Sequence, residues 1–267
     1  MSASAATVDS VMLRLRKKAR TINALLIREL MARFGHRNLG FMWQVIEPLM
    51  LTLGVMGSWT MIYGERNHGV RVIPLVLTGY TYLTLWRHMV ARLTHSFRHG
   101  SGLLFHRHVR PADILVARGL LESIGTLISF FVAYIPLLLL DVLEPVDDYL
   151  LLLGAWTLMC AFSFGVSLII TALAHFSDAF ERVVQPIMYL ILPLTGVFYM
   201  VYWLPAGLQQ IVIYSPLVNI IEMFRAGYFG PNVPTTWDVP FILLCTIAVN
   251  AIGWILVLKA QRHIELE

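Results

Sequence analysis

The chain is short of charge. Only 13% of its 267 residues are Asp, Glu, Lys or Arg, against 58% hydrophobic, where a soluble domain carries roughly 25% charged residues. No water-exposed fold hides that much apolar surface, and the mean hydropathy of +0.71 agrees. Lipid must be part of the solvent.

Lysine is scarcer still: Lys17, Lys18 and Lys259 are the whole supply, and none follows a glycine. The Gly-Lys-Ser/Thr phosphate loop is therefore missing, and ATP hydrolysis by that route is excluded for this chain. HExxH and GxSxG motifs are absent as well, and no residue is singled out as catalytic. Cys160 and Cys245 both lie in apolar runs, with no CxxC or Cys/His neighbourhood. They read as small apolar residues. Residues 1–20 are polar and then basic, without an apolar core or cleavage site, so no signal peptide is expected to be removed. There is no internal repeat, no low-complexity tract and no second domain.

What is present is a set of long apolar runs. A span needs roughly 20 mostly apolar residues. Six segments qualify, at 41–63, 72–90, 114–140, 149–176, 183–201 and 239–258. The expected fold is an all-α membrane protein: a cytoplasmic arm over 1–40, a transmembrane domain of six helices over 41–260, and a cytoplasmic tail at 261–267. The stretch 204–228 is interrupted by Pro205, Gly207, Pro216 and Gly227 and carries Glu222 and Arg225. Non-helical backbone at membrane depth survives only against protein or water, so this stretch reads as a re-entrant or interfacial hairpin.

Basic residues give the orientation. Of 20 Lys and Arg, only Arg66, Arg71 and Arg225 fall on one side, together with the acidic loop Asp141, Glu144, Asp147 and Asp148. The other cations gather in the N-terminal arm, the connection between the second and third spans, and the positions Arg182, Lys259 and Arg262. Both termini are expected in the cytoplasm. The net charge of +4 is then a topology signal and implies no nucleic-acid partner. Residues 10–38 have the pattern of an amphipathic helix, with Ile22, Leu25, Leu26 and Leu30 set against Glu29 and Arg33. Such a helix can lie along lipid headgroups.

Ionisable residues at the midplane mark ion-coupled transport. Here Glu47, Arg87, Arg118 and Glu122 all fall near the cytoplasmic ends of their runs. That disfavours proton or sodium coupling and points to energy from a partner. The longest polar cytoplasmic connection is 93–113. Three readings of it stay open. His95, His99, His106 and His108 suggest a metal site, though no Cys or carboxylate completes the set. A solvated basic loop is the bland reading. The third is a short docking helix at 102–109, because Leu103, Leu104 and Phe105 would be wasted in water.

Aromatic residues cluster toward the outer side: Trp59, Tyr63, Tyr80, Tyr82, Phe198, Tyr199, Tyr202, Trp203, Tyr228 and Phe229. They suit an interfacial belt, or a set of flat faces on which sugar rings stack as a glycan slides past. Glu222 and Arg225, three apart, can pair across a helical turn, as a brace for the hairpin rather than a substrate contact.

The run Arg28-Glu29-Leu30-Met31-Ala32-Arg33-Phe34-Gly35, continuing to Leu39-Gly40-Phe41-Met42-Trp43 and Glu47-Pro48-Leu49, resembles the approach to the first span in ABC type-2 permeases of polysaccharide export. The segment from Leu104 to Asp113, with Ala117-Arg118-Gly119-Leu120-Leu121-Glu122, is similar to the coupling loop and third helix of the capsule-exporting branch. Ser215-Pro216-Leu217-Val218-Asn219, followed by Glu222 and Arg225, resembles an element before the last helix, with Ser215 where asparagine is commoner. The likeness extends over about 20–260.

The resemblance implies an inner-membrane homodimer with two ATP-binding subunits beneath it. ATP and magnesium would then sit on the partner, with no cofactor or metal in this chain. It implies a lipid-linked polysaccharide as cargo, with a periplasmic copolymerase and an outer-membrane channel as further partners. The segment Gly102, Leu103, Leu104, Phe105, His106, Arg107, His108 and Val109 would be the helix seated in the ATPase. Ser177, Asp178, Glu181 and Arg182 would be a second contact. The amphipathic helix would gate the lipid-linked polymer, with Arg33 and Arg37 for its phosphate, which guanidinium suits. O-antigen or teichoic acid export, and drug or small-lipid export, share this architecture. A membrane-embedded transferase would need an acidic partner for the histidine loop, where only Asp113 is near.

Overall fold

The computed structural model describes residues 16–31, 39–99 and 110–264. Helix α1 covers 16–31. It is followed by α2 (Leu39–Tyr63), the two-residue strands β1 (Arg66–Asn67) and β2 (Val70–Arg71), and α3 (Val72–Thr94). Then come α4 (Ser96–His99), α5 (Pro111–Leu139), α6 (Tyr149–Phe176) and α7 (Asp178–Leu190). The last helices are α8 (Ala206–Val212), α9 (Pro216–Phe229) and α10 (Val239–Ile264).

Helix boundaries follow local chemistry. Pro111 opens α5 and Pro216 opens α9, where a missing N–H costs nothing. Asp148 caps α6, its Oδ1 accepting from the Leu150 and Leu151 amides at 2.8 and 2.9 Å. Ser177 is the single residue between α6 and α7. Its N–H donates to Leu173 O while its hydroxyl accepts from the Phe180 amide. Between α2 and α3 the chain reverses through a two-residue hairpin turn, His68-Gly69, both with positive φ (48° and 83°). That is the geometry of a turn matched to strand twist. This hairpin was not foreseen: two paired residues per strand are too few to leave a period in the sequence.

Among the described residues four helices are long and apolar enough to cross a membrane: Val45–Tyr63, Pro111–Leu139, Tyr149–Phe176 and Val239–Arg262. α3 is long enough, at 23 residues, but less apolar. It is enclosed by protein: seventeen of its residues are buried, packed by α2, α5 and α6. Its threonines are satisfied internally, Thr78 donating to Pro74 O at 2.8 Å and Thr94 to Val90 O at 2.7 Å. α6 is the other central element, lying against α10, α9 and α3.

One expected span is corrected. The run 183–201 is not a single helix. α7 starts earlier, at Asp178, and ends after 13 residues at Leu190. A 3-10 turn at Leu192–Thr195 follows, and Gly196 takes φ 76°. Pro193 is the physical reason, because it lacks an amide donor and disfavours helical backbone just before it. The interrupted stretch 204–228 is two helices, α8 and α9, separated at 213–215.

Candidate functional site

Three groups of polar and aromatic side chains stand out from the apolar frame. The first lies at the end of the bundle that carries most of the basic residues. There α1 docks on the opening turns of α5: Leu25 is buried with Ile114 and Ala117, flanked by Ile22 and Leu26. Ion pairs bracket this contact. Lys18 Nζ stands 3.5 Å from Asp113 Oδ1, and Arg118 Nε donates to Glu29 Oε1 at 2.9 Å. The same guanidinium donates from Nη1 to Ser96 Oγ at 2.8 Å, so Arg118 joins α1, α4 and α5. Beside it His95, at the end of α3, meets Glu181 of α7 at 2.7 Å.

The predicted docking helix (Gly102 to Val109) and the gate residues Arg33 and Arg37 lie outside the described residues. So do His106 and His108 of the histidine loop. Of that set, His95 is engaged with Glu181, and among the described residues no group of three or more His, Cys, Asp or Glu could hold a metal. Ser177, Asp178 and Arg182 are exposed at the α6–α7 corner, while Glu181 is partly buried. The elements that flank the 102–109 segment, α4 and the start of α5, are those that Arg118 ties to α1.

The second group is a buried brace. Arg225 is 0% exposed and reaches into the non-helical chain before α8. Its Nη1 donates to Gly196 O at 2.9 Å and Tyr199 O at 2.6 Å, and its Nη2 to Val197 O at 2.7 Å. Glu222, also buried, accepts from the Val201 amide at 3.4 Å and the Thr236 amide at 3.1 Å. The two charges are 3.9 Å apart. An unpaired charge here would be prohibitive. Instead each satisfies backbone that has left the helix and has no water to turn to. Gly79 makes the fit possible, since a Cβ there would lie 2.8 Å from Val197 O.

The third group is aromatic. Trp59 of α2 stacks near Phe198 at a centroid distance of 6.0 Å, and Phe198 meets Tyr80 edge-on at 6.3 Å. Tyr63 is exposed, and Tyr80, Phe198, Tyr199, Tyr202 and Trp203 are partly so. Two of the aromatics proposed to stack on sugar are corrected. Tyr82 is only 3% exposed and donates to Leu217 O at 2.8 Å. Tyr228, equally buried, donates to Glu144 O at 3.2 Å. Both spend their ring faces on the protein core. Sequence spacing placed them beside the accessible rings because a helix buried on nearly every side has no polar face to set the phase.

One cation that the sequence reading left at a helix end without a site role lies seven residues along α3 from Tyr80. Arg87 of α3 donates from Nη2 to the Tyr189 hydroxyl at 2.9 Å and lies 4.9 Å from that ring's centroid. Nearby, the buried Glu122 is 3.7 Å from His88 Nδ1 and 4.0 Å from Arg92 Nε.

Long apolar helices, a buried charge brace and a polar junction at one end define a polytopic helical membrane protein. The chain belongs to the ABC-2 type transporter family, which residues 20–229 match. It is 35% identical over 248 residues to the capsule polysaccharide export inner-membrane protein BexB of Haemophilus influenzae, covering 93% of this chain and 94% of that protein. It is 36% identical to the capsule polysaccharide export inner-membrane protein CtrC of Neisseria meningitidis serogroup A, over 92% and 93% of the two chains. The polysialic acid transport protein KpsM of Escherichia coli is more distant, 25% identical over 84% of this chain and 88% of its own.

Proposed function

We propose that this chain is the inner-membrane permease subunit of an ATP-driven exporter of lipid-linked capsular polysaccharide. The observation that carries the reading is likeness along 93% of the chain to a capsule export protein of nearly the same length. The polar junction on α5 gives it a mechanical basis.

In this reading the basic end is cytoplasmic, which the one-sided distribution of Lys and Arg supports. α2, α3, α5, α6 and α10 cross the membrane. α7 and the α8–α9 hairpin together make up the fifth crossing, with Arg225 satisfying the carbonyls exposed where the helix stops. Two copies form the conduit, since one five- or six-helix subunit encloses too little space for an extended glycan. ATP and magnesium bind two separate ATPase subunits. Residues 102–109 seat in each ATPase, with Ser177, Asp178, Glu181 and Arg182 as the smaller contact. α1 then serves as the gate, moved through Arg118 and Asp113, and Arg33 and Arg37 meet the anchor's phosphate. A periplasmic copolymerase and an outer-membrane channel would complete the route.

Deleting the gene and locating the polymer tests this. Polymer trapped inside with a phospholipid at its reducing end supports capsule export. An undecaprenyl-diphosphate end moves the assignment to O-antigen or a related glycan. Normal surface polymer, with no second exporter present, rejects polysaccharide as the cargo and brings small-lipid or drug export forward.

A further inference from the structure

We propose that Arg87 and Tyr189 form an anion-binding station on the transport path, which takes a phosphate or carboxylate of the lipid-linked polymer. The inference rests on the export reading above.

α3 is buried on nearly every side, and its partly open positions deep in the helix are few. Ile73, Tyr80 and Arg87 recur at intervals of seven, which places them along one stripe of the helix. Arg87 stands seven residues before the end of α3 at Thr94, or about 10 Å inside at the helical rise per residue. Arg87 lies three residues inside the apolar run 72–90, and a guanidinium there is better placed against water or a bound anion than against lipid.

Its neighbours make the case. The neighbouring basic side chains at this level, His88 and Arg92, both approach the buried carboxylate of Glu122, at 3.7 and 4.0 Å. Arg87 has no carboxylate partner among the described residues; it has only the Tyr189 hydroxyl and ring. Nη2 is engaged there, which leaves Nη1 and Nε for a ligand. Guanidinium offers parallel N–H donors to phosphate or carboxylate, and such charge-assisted pairs are among the strong ones. Tyr189 is 55% exposed, so the station is open on that side. Tyr80, two turns further along the stripe, leads to Phe198 and Trp59. An anion held at Arg87 would set the adjoining sugars at the foot of these rings.

The test uses the assembled exporter, this chain with its ATPase, reconstituted in phosphatidylcholine vesicles. ATPase stimulation is titrated with the intact lipid-linked polymer and with the same polymer freed of its lipid anchor. For Arg87→Gln the half-saturating concentration should rise about tenfold or more, as expected on losing a charge-assisted bond, with the maximal rate kept. Arg87→Lys should recover part of the loss, and the wild-type response should weaken with salt while that of Arg87→Gln does not. A shift with both ligands places the anion on the polymer; a shift with intact ligand alone places it on the anchor phosphate. Unchanged half-saturation in both overturns the station, as does equal stimulation by anionic phospholipid vesicles without polymer, since the anion would then be bulk lipid. Should Arg87→Gln fail to assemble, Arg87→Lys and Tyr189→Phe decide by the same titration. The export reading fails separately: in that case even the wild-type complex shows no response to polymer, and gene deletion leaves surface polymer normal.

Discussion

Arg118 and Glu29 meet at 2.9 Å with their side chains 12% and 17% exposed, although they stand 89 residues apart in the chain, on α5 and α1. This pair pins α1 to the start of α5. If it transmits movement, charge identity should matter less than complementarity. Arg118→Glu and Glu29→Arg should each impair export and lower the melting temperature in detergent. The double exchange should recover part of both, with a coupling energy of about 1–2 kcal/mol. Recovery stays partial because Arg118 also holds Ser96 at 2.8 Å. A double variant no better than the worse single one would show that the two residues act independently.

Removing Arg225 should be far more damaging. Arg225→Met would orphan the carbonyls of Gly196, Val197 and Tyr199 and leave the Glu222 carboxylate buried without its cation. The expected loss is about 3–5 kcal/mol, the range for breaking a buried pair from one side. Low membrane yield and a depressed melting temperature are the readouts. Arg225→Lys should be intermediate, since one ammonium cannot span the same fork of acceptors. An Arg225→Met protein of normal melting temperature would mean that water reaches these carbonyls.

Much of this architecture was legible from composition and hydropathy. Apolar length located α2, α5, α6 and α10, because a helix facing lipid must be apolar along its length. α3 was found too, although its threonines and Arg87 lower its hydropathy; burial against three neighbours, rather than lipid, is what it answers to. The fifth apolar run was misread as one helix. Hydropathy does not register that Pro193 stops a helix or that a distant arginine will satisfy the carbonyls it frees. The pairing of Glu222 and Arg225 followed from their spacing, but their backbone acceptors and donors did not, since those lie 14 to 29 residues away. Arg87 looked like an ordinary end-of-helix cation until the fold set it against the hydroxyl and ring of Tyr189, 102 residues away in the chain.

Gly79 should be intolerant of any side chain. A Cβ would stand 2.8 Å from Val197 O, 3.2 Å from Val197 Cγ1 and 3.3 Å from Arg225 Nη2. The carbonyl cannot retreat, because Arg225 holds it. Gly79→Ala should therefore destabilise by about 1–3 kcal/mol, the range for overpacking, although alanine is the better helix former. Its effect should not add to that of Arg225→Lys, because both loosen the same contact. Thermal melts of the two single variants and the double variant check this, and strict additivity would place the strain elsewhere.

The segment 102–109 can be tested through what surrounds it. It leaves α4 and returns to Pro111, the first residue of the helix that carries α1 on Ile114 and Ala117. A force applied to this segment has a short route to α1: Asp113 and Arg118 are within two turns of Pro111, and each is paired with α1. On the proposed docking role, Leu104→Ser with Phe105→Ser removes apolar surface offered to the ATPase. Insertion and melting temperature of the isolated permease should be unchanged. The ATPase should co-purify less well, and polymer should cease to stimulate hydrolysis. Loss of stability in the isolated permease would instead assign these two side chains to packing within the chain, and the drive to α1 would have to enter through Ser177 to Arg182.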